Sequence, residues 1–83
     1  MGRRENLIHQ ILGGRADANI RFDDLCNLLL GTGFEMRTGG SHHIFRKGGI
    51  DEKVNLQRDG DKAKPYQVRQ VRQLILKYKL GEK

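Results

Sequence analysis

Apolar positions recur along the chain with two spacings, one helical and one extended. In residues 3–12 (RRENLIHQIL), Leu7, Ile8, Ile11 and Leu12 fall on one side of a helix, and Gly13-Gly14 stops it. Arg15 to Ile20 reads as a loop. Phe22, Leu25, Cys26 and Leu29 stand at i, i+3, i+4 and i+7, so a second helix is predicted from about Phe22 to Leu30. Asp23 and Asp24 occupy its first turn, where negative charge suits the positive end of the dipole. Gly31 and Gly33 supply the stop.

The extended spacing follows. Phe34-Glu35-Met36-Arg37 alternates apolar and polar, and Thr38-Gly39-Gly40 is a turn. Ser41 to Lys47 holds the strand formers Ile44 and Phe45, and Gly48-Gly49 is a second turn. Lys53-Val54-Asn55-Leu56-Gln57 alternates again, with Val54 and Leu56 on one face. Three short strands with two glycine turns predict an antiparallel meander. Residues 58–64 read as a charged loop, with Asp59-Gly60-Asp61 as a turn. Pro65 then suits the first position of a helix whose apolar stripe is Val68, Val71, Leu74, Ile75 and Tyr78, ending at Gly81. The predicted class is α+β, a three-stranded antiparallel sheet with helices on one face. The central strand is ambiguous. His42, Ile44 and Arg46 share one face and His43, Phe45 and Lys47 the other, so each face offers one apolar residue and one histidine.

A chain of 83 residues is one small domain. No apolar run exceeds three residues, which argues against a membrane-spanning helix and against a signal peptide. A cytoplasmic location is the expectation, and the single cysteine, Cys26, fits a reducing compartment. Charge adds more. Residues 1–36 carry four basic and five acidic groups, residues 37–61 five and four, and residues 62–83 seven and one. The net +6 therefore sits in the last quarter, as expected for a polyanion partner or for a solvated basic helix.

His42 and His43 are the residues with reactive chemistry. Histidine titrates near neutral pH and serves as general acid or base without a metal. Cations beside it (Arg37, Arg46, Lys47) could hold a phosphodiester and stabilise its pentacoordinate transition state. A base reaching a ribose 2′-hydroxyl would let RNA attack its own phosphate. A metal reading is weaker, because adjacent strand residues point to opposite faces and no Cys/His ligand spacing is present. Alternation likewise separates Ser41 from His42, and no G-x-S-x-G elbow occurs. The glycine pairs lack nucleotide-binding spacing and read as turns, though Gly40 permits close approach of a phosphate. Cys26 reads as a small core residue. Lys62, Lys64, Arg69 and Arg72 are candidates to clamp an RNA backbone from the last helix and the loop before it, with a solvated face as the plain alternative.

The segment GTGFEMRTGGSHHIFRKGG resembles the signature of the HicA toxins, messenger-RNA interferases of toxin–antitoxin systems. The resemblance lies in Gly33-Phe34, Gly40-Ser41-His42-His43-Ile44-Phe45-Arg46, the Val54-Asn55-Leu56 strand and the Lys64-Pro65 helix start, and it covers about residues 20–80. It implies a fold like that of double-stranded RNA-binding domains and metal-independent cleavage of RNA, with no cofactor. It places catalysis on His42, with Gly40 and Ser41 shaping the site, and implies a HicB-type antitoxin as partner. Residues 1–19 stand outside the family pattern as an N-terminal extension with a short helix, before a toxin-like domain at 20–83. A non-catalytic RNA-binding module of the same fold is the alternative, and a protein-interaction domain with a basic helix is a third reading.

Overall fold

The computed structural model describes residues 3–80. Helix α1 spans Arg3–Gly13, α2 Phe22–Gly31 and α3 Pro65–Tyr78, with a short 3-10 turn at Asp17–Asn19. The strands are β1 (Glu35–Gly39), β2 (His42–Arg46), β3 (Val54–Asp59) and β4 (Lys62–Ala63). They form one antiparallel sheet in the order β1-β2-β3-β4. The class is α+β, as the periodicity predicts, but the sheet has four strands and not three. The extra strand lies where the sequence reads as loop. Gly60, at φ +66°, turns the chain with Asp61, and Lys62-Ala63 folds back on Asp59-Arg58. Two residues are too few to show alternation, so only the backbone pairing reveals β4.

Alternation decides what each strand buries. Phe45, Val54, Leu56 and Ala63 are all at most 2% exposed and face the helices. α2 adds Phe22, Leu25, Leu28 and Leu29, and α3 adds Val68, Val71, Leu74 and Ile75. Ile11 of α1 and Ile20 are buried in the same core, so residues 3–20 fold as part of the domain. Leu7 and Ile8 pack at its margin, whereas Leu12 is exposed. Cys26 is buried, and desolvation, helped by the nearby Asp23 charge, pushes its thiol up to about 11. It is a core residue.

The helix ends follow backbone chemistry. Gly33 at φ +105° lets the amides of Gly33 and Phe34 turn back to the carbonyls of Leu30 and Leu29, a Schellman closure of α2. Pro65 opens α3, and the buried Gln67 accepts a hydrogen bond from the Lys64 amide through Oε1. α3 closes at Lys79, which is left-handed at φ 54°; the expected stop at Gly81 lies outside the described residues. No helix among the described residues is long and apolar enough to cross a membrane.

Candidate functional site

The face of the sheet away from the helices is open and polar. Cross-strand partners share a face, so the register builds it row by row. Gly39, His42 and Gln57 form one row; Arg37, Ile44 and Asn55 form the next; Glu35 and Arg46 form a third. This resolves the central strand. Phe45 belongs to the core and carries His43 inward with it, while His42 faces solvent beside Ile44 and Arg46.

The hairpin turn brings Ser41 to the same end of the face. Gly40, at φ +62°, makes the two-residue connection with Ser41 possible. His42 Nδ1 lies 3.2 Å from Asn55 Oδ1. Gln57 donates through Nε2 to Ser41 Oγ at 3.4 Å and accepts from Lys64 Nζ through Oε1 at 3.5 Å. A polar path thus runs from the β1–β2 turn to the start of α3. Asn55 and Gln57 escape a search for reactive residue types. Their alternation with Val54 and Leu56 puts them on the polar face, but only the strand register puts them beside His42.

The predicted cations divide into two groups. Arg37 and Arg46 are exposed on the His42 face, and Lys64 reaches it through Gln57. Lys62, half-exposed at the β4 edge, lies 3.7 Å from Asp61. The others are not gathered there. Lys47 lies on the Phe45 side and donates to the Thr32 carbonyl at 2.6 Å, neutralising the negative end of α2. Arg72 is held by both oxygens of Asp17 at 2.7–3.2 Å, with the two side chains only 15% and 17% exposed. Arg69 is exposed on α3, and no contact ties it to the His42 cluster.

His43 has a different environment. Its ring meets Phe22 edge to face at 4.9 Å between centroids, and its buried Nδ1 has no hydrogen-bond partner among the described residues. Arg58 covers the same Phe22 ring and pairs with Asp23. A further cluster sits at the end of α3. Hydrogen bonds from Lys77 and Tyr78 hold the Glu52 carboxyl at about 2, and Glu52 in turn pushes Lys77 and Tyr78 up. This group straps the segment before β3 to the helix. Among the described residues, no three His, Cys, Asp or Glu side chains gather where they could hold a metal ion. The concave surface between α1 and α2, lined by Asn6, Gln10, Arg21, Asp24 and Asn27, contains none of the predicted site residues.

Fold and site together define a small α+β domain with one helix-covered sheet face and one open face carrying a histidine among amides and cations. Comparison with family models, curated proteins and solved structures yields no match.

Proposed function

We propose that this chain is a metal-independent endoribonuclease of the HicA type, the toxin of a toxin–antitoxin pair, which cleaves messenger RNA and so inhibits translation. The observation that carries the reading is the pairing of His42 with Asn55 on the open face. With the Asn55 amide turned so that Oδ1 accepts from Nδ1–H, the His42 ring is in the tautomer whose Nε2 lone pair serves as the base. Nε2 takes the proton of a ribose 2′-hydroxyl. The 2′-oxygen attacks the adjacent phosphorus, the bond to the 5′-oxygen breaks, and a 2′,3′-cyclic phosphate remains. Protonation of the departing 5′-oxygen completes the step, from the imidazolium or from water.

Arg46, Lys64, Lys62 and Arg37 border the His42 face and are suited to hold the RNA backbone and the charge of the pentacoordinate phosphorane. Gly40 and Ser41 shape the end of the site. The order α2-β1-β2-β3-β4-α3 supports a relation to the double-stranded RNA-binding-domain fold if α1 and β4 are additions to it. An acidic HicB-type antitoxin would cover the open face and exclude RNA. Cytoplasmic action follows from this substrate.

The test is cleavage of a long single-stranded messenger RNA in EDTA by wild type and His42→Ala, with folding checked by circular dichroism. The variant should lose about 10²–10⁴-fold in rate. Equal cleavage by both overturns the assignment. Salt-sensitive RNA binding without cleavage by either, in a translating extract as well, makes the protein a binding module instead.

A further inference from the structure

The two edges of the sheet are finished differently. The β4 edge is closed by the chain itself: the Ala63 amide donates to Ile20, the Phe22 amide donates to Asp61, and Arg21 bridges to Lys62. The β1 edge is open. Among the described residues its one extensive neighbour is β2, and all five of its residues are exposed. They include Met36, 39% exposed beyond the cover of the helices. Neither Glu35 nor Arg37 has an ion-pair partner among the described residues. An open edge presents a row of unpaired amides and carbonyls to any strand that fits it.

We propose that the occupant of this edge is β1 of a second copy of the chain, paired antiparallel about Met36. The sequence Glu35-Met36-Arg37 is self-complementary in that register. Glu35 stands opposite Arg37 of the second copy, Arg37 opposite its Glu35, and the two Met36 side chains meet on the other face. Opposite charges directly across an antiparallel pair stabilise it, and like charges destabilise it. A two-fold axis normal to the sheet relates the copies, so both open faces lie on the same side of an eight-stranded sheet. His42 lies level with Gly39, three positions from Met36. The two His42 side chains therefore stand about 25 Å apart on one surface, from three strand spacings across and six residues along.

This last consequence rests on the nuclease reading: one RNA strand could then meet both histidines. In the dimer Arg37 is shared with Glu35 of the second copy, and Arg46, Lys62 and Lys64 border the His42 face unchanged. A single short edge buries little area, and the net +6 opposes association, so the dimer should be a weak one.

Sedimentation equilibrium at physiological salt, without RNA, tests the edge. Wild type should rise from 9.5 kDa toward twice that mass as concentration increases across the micromolar range. E35R puts arginine opposite arginine, and R37E puts glutamate opposite glutamate, so each alone should stay at the monomer mass. Mixed in equal amounts, the two variants should associate with each other, and the double swap E35R/R37E should recover self-association. A wild-type mass that never rises overturns the proposal and leaves the edge to a strand of a different protein. Association of either single variant like wild type, or none in the mixture, overturns the register. Because only mass is read, a failure here leaves the nuclease reading standing, and a failed cleavage assay leaves the dimer standing.

Discussion

The helix-covered face and the open face of the sheet are built from the same strands but use charge in opposite ways. On the covered side four cations are committed: Lys47 to the end of α2, Arg72 to Asp17, Arg58 to Asp23 and the Phe22 ring, Lys77 to Glu52. On the open side Arg37 and Arg46 have no ion-pair partner among the described residues, and they flank His42. The difference shows that local charge density is a poor guide to a binding surface. The last quarter of the chain holds the excess positive charge, yet Arg72 and Lys77 are paired with Asp17 and Glu52, and the exposed arginines beside His42 come from a nearly neutral stretch.

The contrast breaks most sharply at adjacent residues of β2. Phe45, fully buried, should cost about 3–5 kcal/mol when replaced by alanine. A domain of this size has a total stability of the same order, so the variant should be largely unfolded. Ile44, half-buried on the open face, should cost about 1 kcal/mol when changed in the same way. Urea denaturation followed by circular dichroism reads both. Equal losses would mean that the open face is covered in solution.

A smaller effect separates the two classes of cation. Asp17→Ala leaves the Arg72 guanidinium largely buried without its carboxylate, at a cost of about 3 kcal/mol. Arg46→Ala, on the open face, should change stability by no more than about 0.5 kcal/mol. Urea midpoints compared at constant slope decide between these values. A loss for Arg46 as large as that for Asp17 would place Arg46 in the framework and remove it from the proposed RNA surface.

Most of the covered side was legible in the sequence, because its apolar stripes repeat at helical spacing and its turns carry glycine. The predicted helices at 3–12 and from Phe22 and Pro65 correspond closely to α1, α2 and α3. The open side was only half legible. The G-S-H segment and the Asn55/Gln57 alternation were visible, but each face of β2 offered one apolar residue. The choice between them is made by long-range packing of Phe45 and His43 against the helix layer, with Phe22 the partner of His43. The commitment of Arg72 was hidden for the same reason, since its partner Asp17 lies 55 positions away. β4 was hidden because two residues cannot display a period.

The two adjacent histidines sharpen the comparison with the smallest expected effect. His43 buries a ring nitrogen with no partner among the described residues, a cost of about 1–3 kcal/mol, and gains back part of it, about 0.5–1.5 kcal/mol, from its edge contact with Phe22. His43→Leu removes both terms at similar volume and should stabilise the protein by about 1 kcal/mol, which for a domain of this size raises the melting temperature by about 4–8 °C. RNA cleavage should persist, since the side chain faces the helices. His42→Leu should do the reverse, leaving the melting temperature in place and abolishing cleavage, because its ring contributes to the open face and not to the core. Melting temperature and cleavage measured on the same two samples separate the roles. A more stable His43→Leu that no longer cuts RNA would move the reactive group to the covered face, and a destabilised one would mean that His43 Nδ1 is paired in solution after all.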